Sequence, residues 1–325
     1  MSLSLHRYQE WIEGEIKKQK YGREPVSLYE PIRYLMGLGG KRLRPLLTLF
    51  AYGLFKNDPR TIVKYAVAVE AFHNFTLMHD DIMDKAPLRR GKETVHKKWN
   101  VNTAILSGDV MLVKVYDMLL TIEPSKLTRV LQAFNTCAAE VCEGQQWDME
   151  FEKETTVTEL QYINMIKLKT AVLLGFCLEL GAILADASDE DCLALRHFGT
   201  NIGIGFQLKD DLLDAYADPK KFGKQVGGDI IANKKTFLLI KALEKAKGKQ
   251  KNELNRWLSV KPFKKKEKVE AVRSLYNSVG VASLAEKKIN HYFDKGFKNL
   301  ETLSCMEAGK MNLRGFAESL IGRQS

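Results

Sequence analysis

Proline is scarce in this chain, with 8 in 325 residues. Asn-Gly and Asp-Gly pairs, the strongest short hairpin signals, are absent. Together these gaps argue against a β-rich fold. The five cysteines, Cys137, Cys142, Cys177, Cys192 and Cys305, are odd in number, scattered, and include no C-x-x-C pair. That spacing speaks against a disulfide framework or a cysteine zinc site, so reduced and mostly buried thiols are expected. No H-E-x-x-H occurs among the six histidines, which removes the usual zinc-hydrolase signature. Apolar runs are short: the longest, residues 171–178, ends at Glu179, well below the length of a membrane span. Residues 1–20 are charged and amphipathic without an apolar signal core. A cytoplasmic protein with no transmembrane segment is therefore expected. No glycine-rich or proline-rich linker divides the interior, and one domain over residues 1–325 is the simplest organisation.

What is present is ample material for a core, with 45% apolar residues. The net charge of +10 raises the question of an anionic partner. Its excess is local, however: residues 241–270 hold 11 Lys/Arg against 4 Asp/Glu. Lys264, Lys265, Lys266 and Lys268 are expected on a solvated face. Without aromatic interleaving, the stretch is not expected to bind nucleic acid. Helical periodicity runs through residues 62–79, 102–121, 126–148, 158–186, 189–215, 234–247, 266–293 and 307–321. The segment 62–79 is apolar around much of its circumference and should be central. Turns are expected at Pro124 and Ser125 and over residues 186–191. The fold expected is all-α.

One motif occurs twice. Asp80-Asp81-Ile82-Met83-Asp84 and Asp210-Asp211-Leu212-Leu213-Asp214 both read D-D-x-x-D, and each follows an apolar helical run. Residues four apart share a helix face, so Asp80 pairs with Asp84 and Asp210 with Asp214. The middle acids, Asp81 and Asp211, sit about 100° around the helix. Like charges on one face repel, and uncompensated charge inside apolar sequence is costly. Magnesium is the natural partner, because it takes oxygen ligands, keeps waters, and commonly uses one or two carboxylates plus substrate phosphates. Two such clusters suit a diphosphate held through several ions.

An anionic substrate also asks for fixed positive charge. Gly39-Gly40-Lys41-Arg42-Leu43-Arg44-Pro45 and Leu88-Arg89-Arg90-Gly91 supply it. Arginine suits bidentate phosphate recognition. Neither stretch is a nucleotide P-loop, which needs G-x-x-x-x-G-K-[ST].

This combination resembles the trans-isoprenyl diphosphate synthase family across most of the chain. The matching elements come in the family's order: GGKRLRP at 39–45, DDIMD at 80–84, LRRG at 88–91, GQQWD at 144–148, LKT at 168–170, FQLKDDLLD at 206–214, then Lys224 and Lys234. The resemblance implies a helical bundle of the isoprenoid synthase type around a central deep cavity, three magnesium ions per active site, and a homodimer. It implies that Asp80 and Asp84 ligate magnesium on the allylic diphosphate. Asp210 would hold a further ion from the opposite wall, with Asp214 acting through water. Arg89, Lys169, Lys224 and Lys234 match contacts to the allylic diphosphate; Gly40, Lys41, Arg44, His73 and Arg90 match the isopentenyl diphosphate site. Thr170 and Gln207 match positions whose oxygens face the developing carbocation. One departure is Asn233-Lys234-Lys235-Thr236-Phe237, which replaces a usual G-K-x-T-x-P.

The implied reaction is magnesium-dependent head-to-tail condensation of isopentenyl diphosphate with dimethylallyl, geranyl or farnesyl diphosphate. Phe75 lies five residues before Asp80, about 7.5 Å along a helix. By resemblance an aromatic there, above Phe72 and beside the small Thr76, floors the cavity and implies a C20 product, with C15 as the neighbouring outcome. Two other classes share features: a class I terpene cyclase, which has no need of Lys41 and Arg44, and a non-catalytic subunit of a heteromeric synthase, which tends to lose its aspartates.

Overall fold

A computed structural model of the chain describes residues 2–217 and 226–322, with side chains described from residue 5 onward. Helices dominate. Among the described residues the only strands are Leu88–Arg89 and Lys92–Glu93, paired antiparallel. No helix there is long and apolar enough to cross a membrane. All five cysteines are free; Cys137, Cys177 and Cys192 are buried.

The chain forms two compact units. One comprises Met1–Thr136, Phe176–Arg196 and Leu303–Leu313; the other comprises Cys137–Gly175, His197–Thr302 and Arg314–Ser325.

In the first unit the Val63–Met83 helix is central, as its apolar circumference requires. It packs against the helices Val101–Leu119, Leu43–Tyr52 and Val26–Gly37. The aromatic rings stack from it outward: Phe72 meets Phe134 edge-on at 5.1 Å, and Phe134 meets Phe176 at 5.7 Å. Close approach is set by small residues. A Cβ on Gly108 would press on His79 Nε2 and lie 2.7 Å from its Cδ2, and one on Gly181 would lie 2.8 Å from Ala51 Cβ.

A buried ion pair anchors the entry to this core. Arg42 takes a left-handed backbone (φ 49°) just before the Leu43–Tyr52 helix. Its guanidinium donates to Glu70 at 2.9 Å, to Glu13 at 2.7 Å and to the Met36 carbonyl at 2.9 Å. The Arg42 and Glu70 side chains are 2% and 3% exposed. Removing one partner leaves buried charge uncompensated, which costs about 3–5 kcal/mol. Glu70→Ala is expected to lower the urea unfolding midpoint accordingly, whereas Glu13→Ala, at the solvent edge, costs far less.

The second unit is built from the later part of the Pro124–Phe151 helix, the Glu159–Ile166 helix and the helices that follow it. Glu159 holds three of these helices together, pairing with Lys241 at 2.6 Å and Lys288 at 2.5 Å. Burial alone would raise the Glu159 pKa, but the two ammonium groups outweigh it and hold it low.

Several elements depart from the periodicity. The expected helix over 266–293 is two helices, Lys265–Ser278 and Val281–Glu301, broken where Gly280 turns left-handed (φ 71°). The expected turn at Pro124 is instead a helix start, since proline fits the first helical position. Lys268, expected in solvent, is 1% exposed; its ammonium donates to Asn233 Oδ1 at 2.6 Å and the Ile231 carbonyl at 3.3 Å.

Candidate active site

Both acidic motifs close a long helix. Asp80 and Asp81 lie in the last turn of Val63–Met83 with Asp84 as its C-cap; Asp210, Asp211 and Asp214 lie near the end of Asp189–Tyr216. Helix C-termini carry the negative end of the macrodipole and favour cations. Three carboxylates there add like charge to like, so the location itself calls for positive charge.

In the first unit, part of that charge is arginine. Asp81 turns inward, 2% exposed, and accepts from Arg89 at 2.6 and 3.1 Å. Arg89 also lies 3.7 Å from Asp80. Burial raises the Asp81 pKa, against the lowering effect of Arg89. The two short strands make this contact: Arg90 and Gly91 form a two-residue turn with positive φ (53° and 74°), the geometry that matches strand twist. Arg89 thereby reaches Asp81, while Arg90 donates to the Gly39 carbonyl. Gly40 has φ 141°, and a Cβ there would sit 3.0 Å from the Arg90 guanidinium carbon. The expected isopentenyl-site residues Gly40 and Arg90 are thus brought together. His73, partly buried, lies in the field of Arg44, Arg90, Arg89 and Arg42; burial first, then these cations, push its pKa well below the usual range. His73 is therefore a neutral ring among cations. Lys41 is exposed.

Phe75 is 9% exposed, with its ring 5.7 Å from Phe72 and 4.8 Å from His79. The hydroxyl of Thr76 donates to the His73 carbonyl at 2.8 Å.

In the second unit, Asp211 also turns inward. It accepts from the Tyr162 hydroxyl and, at 3.1 Å, from the Gln207 amide. Burial and the nearby Asp229 push its pKa well up. Thr170 lies 3.4 Å from Gln207 Oε1, so the Gln207 amide is oriented at both ends. Asp214 accepts from the Asp229 backbone N–H at 3.0 Å. Lys169 pairs with Asp148 at 2.6 Å, and Lys234 stands 4.0 Å from the same carboxylate. Asp148, Lys169 and Lys234, with Asp229 and Gln207, line one side of a cavity of about 100 Å³, which Phe151, Met165 and Ile166 also line. Lys224 lies outside the described residues.

A π-helical turn, Lys167–Ala171, carries Lys169 and Thr170. Such turns are rare and occur often at functional sites. Gly144 allows it: a Cβ there would press on the Lys169 backbone nitrogen and lie 2.6 Å from the Leu168 carbonyl carbon. Backbone cannot yield as a side-chain tip does. Gly144→Ala is expected to cost about 1–3 kcal/mol through overpacking and to reduce turnover through displacement of Lys169. Denaturant melts and steady-state assays check this together.

Asn233, where the family pattern has glycine, takes the left-handed C-cap of Gly228–Ala232 (φ 56°). Asparagine is the usual second choice there, and its side chain bonds the Leu258 carbonyl and Lys268. Lys234 follows directly, so the departure preserves the turn that presents it.

Four residues of the site had no role assigned from sequence: Tyr162, Asp148, Asp229 and Arg42. Asp148 ends the GQQWD match, and Asp229 follows a glycine pair; those were the available signals. Burial, reinforced by Asp214, pushes the Asp229 pKa up to about 7.

The donor sets fit magnesium. They are carboxylate oxygens at helix ends, the hard oxygen donors that magnesium takes. A cation that keeps waters and takes phosphate oxygens suits such open sets.

The profile of the polyprenyl synthetase family matches residues 25–277. A geranylgeranyl diphosphate synthase from Methanosarcina mazei is 43% identical over 223 residues, covering 68% of this chain and 69% of that protein. A geranylfarnesyl diphosphate synthase from Natronomonas pharaonis is 38% identical over 251 residues, covering 72% and 74%. Among solved structures, a geranylgeranyl pyrophosphate synthase superposes with a TM-score of 0.93 at 43% identity, covering 100% of this chain and 99% of the other.

Proposed function

This chain belongs to the polyprenyl synthetase family, and on that premise we propose which of its residues perform the reaction and what product they make. It is a short-chain prenyl diphosphate synthase, a prenyltransferase. The family is in general magnesium-dependent. The finer reading is that Asp80 and Asp84 bind magnesium on the allylic diphosphate, with Asp210 binding a further ion, three in all, and Asp214 acting through water. The observation that carries it is the repeated design: each D-D-x-x-D closes a helix, its middle acid is committed to an internal partner, and its outer acids sit where a cation is favoured.

Magnesium held by Asp80, Asp84 and Asp210 would draw charge from the allylic diphosphate and favour loss of pyrophosphate. Arg89, Lys169, Lys224 and Lys234 neutralise the departing group. Lys41, Arg44, Arg90 and His73, beside Gly40, hold isopentenyl diphosphate; a neutral His73 donates a hydrogen bond without adding charge. The double bond of isopentenyl diphosphate attacks the allylic carbon, and a proton then leaves to the released pyrophosphate. The oxygens of Thr170 and Gln207 face the positive charge as it develops. Apolar helices keep out water that would quench it. Phe75 sets the length at C20.

A homodimer is part of this reading. Ile105, Leu106, Val113 and Leu120 form an exposed apolar row on and just after the Val101–Leu119 helix, at 40–57% exposure, and such rows mark protein interfaces. Leu106→Glu combined with Val113→Glu is expected to convert dimer to monomer in sedimentation velocity.

Product chromatography tests the function. The purified protein is incubated with isopentenyl diphosphate, each allylic primer in turn, and magnesium, with a chelator control. Magnesium-dependent all-trans C20 product is expected. No elongation from any primer by folded protein would favour the terpene cyclase or the non-catalytic subunit.

A further inference from the structure

The lysine-rich stretch does more than coat a helix with charge. Within residues 241–270, nine cations are exposed: Lys245, Lys247, Lys249, Lys251, Arg256, Lys261, Lys264, Lys265 and Lys266. Only four exposed acids offset them, Glu244, Glu253, Glu267 and Glu270. Where the Gly248–Ser259 helix gives way to Lys265–Ser278, a groove of about 470 Å³ opens in this basic surface. Its walls are Trp257, Val260, Pro262 and Phe263, and its rim carries Arg256, Lys264 and one acid, Glu267, which pairs with Lys264 at 2.9 Å and leaves the rim net positive. The association is also present in the sequence, where Arg256 adjoins Trp257 and Lys264 adjoins Phe263, so the stretch is not free of aromatic interleaving, contrary to expectation.

Trp257 supplies a second, independent observation. Its indole Nε1 is buried and has no hydrogen-bond partner among the described residues. An unpaired buried donor is costly, and an indole N–H at a wet boundary usually finds an oxygen. Trp257 lines the groove beside Arg256 and Lys264, so the unpaired donor belongs to a residue that an anionic group seated there would touch.

We propose that this groove is a docking surface for an anionic lipid bilayer, with a headgroup phosphate at Trp257, Arg256 and Lys264 and the upper acyl region against Val260, Pro262 and Phe263. Tryptophan flanked by basic side chains is the composition that settles at headgroup level. Nucleic acid fits less well. Its bases need open aromatic faces, whereas the Arg256 guanidinium lies over Trp257 at 5.1 Å and the Lys268 ammonium over Phe263 at 4.3 Å. Resting on the proposed catalytic reading, the surface acquires a purpose: a C20 diphosphate is an amphiphile, and an enzyme held at the bilayer releases it where its tail is soluble.

Flotation of the full-length protein tests this, using phosphatidylcholine vesicles with and without phosphatidylserine. Each cation near an anionic surface strengthens binding about fivefold. Wild-type protein is expected to float with the phosphatidylserine vesicles and to stay behind with phosphatidylcholine alone. Combined Lys264→Glu, Lys265→Glu and Lys266→Glu should reduce that binding by at least about tenfold. Trp257→Phe, which removes only the N–H and part of the ring, and Phe263→Ser should each weaken it several-fold at full charge. All variants should retain wild-type elongation of soluble primers, a result that separates this proposal from the catalytic one and verifies folding. Equal binding to both vesicle types, or wild-type binding by the charge-reversed protein, would overturn the proposal. So would loss on charge reversal alone with no effect at Trp257 or Phe263, since undirected surface charge would then suffice. Duplex DNA bound through the same residues, with vesicles ignored, would assign the surface to nucleic acid.

Discussion

Asp80→Ala lowers turnover by about a thousandfold or more, and Asp210→Ala does the same, while both proteins remain folded. The size follows from what each carboxylate is proposed to hold: removing a single preorganised stabilising group costs about 10²–10³-fold, and losing a proposed metal ligand would weaken activation of the leaving group as well. The second half of the expectation follows from position. Asp80 sits beside Asp81 in the last turn of its helix, and Asp210 beside Asp211 in the other. Deleting one acid from such a turn relieves repulsion with its neighbours and with the helix dipole, which for Asp80 offsets the loss of its 3.7 Å approach to Arg89. In metal-free buffer these variants should therefore melt no lower than wild type. Asp81→Ala is the contrasting case. It strips Arg89 of its 2.6 Å partner at a 2% exposed position, so it should lose stability first and activity as a consequence. Near-normal turnover in Asp80→Ala would sink the metal assignment.

On the proposed C20 reading, Phe75→Ala is expected to lengthen the product. Phe75 projects from the same helix that ends in Asp80, one and a half turns below it, about 7.5 Å at the standard rise. Its ring rests on Phe72, which is itself locked edge-on against Phe134. Truncation at position 75 opens space above Phe72 while leaving that deeper ring held. A fully buried phenylalanine costs about 3–5 kcal/mol on truncation, so the variant needs a melt beside the chromatogram. An unchanged product from a folded variant would show that the floor lies elsewhere. The relatives themselves do not decide length, since similar identities accompany geranylgeranyl and geranylfarnesyl names.

The helical character and both acidic motifs were legible because each rests on local pattern: period, apolar runs, and repeated spacing. What escaped was tertiary. The partner of Asp81 is Arg89, eight residues on, and that of Asp211 is Tyr162, 49 residues earlier; no periodicity reports such pairs. The π-turn at Lys167–Ala171 reads as ordinary helix in the sequence, as does Gly144, whose close approach to it is tertiary. The break at Gly280 was masked because apolar spacing continues across it. The small hairpin lacked the usual Asn-Gly or Asp-Gly turn, and Arg90 with Gly91 supplied the geometry instead. Lys268 looked like one more solvated lysine, yet Asn233 and the Ile231 carbonyl hold it inside.

The central claim is that the two acidic motifs hold the metal that activates a diphosphate. Crystals grown with manganese in place of magnesium and a thiolo analogue of an allylic diphosphate test it directly, through the anomalous scattering of manganese. The account predicts manganese on the carboxylates of Asp80 and Asp84 and a further manganese on Asp210, with Asp81 still on Arg89 and Asp211 still on Tyr162. Manganese held instead by Asp148 and Asp229, or no manganese at Asp80 and Asp84 with the analogue bound, would contradict it.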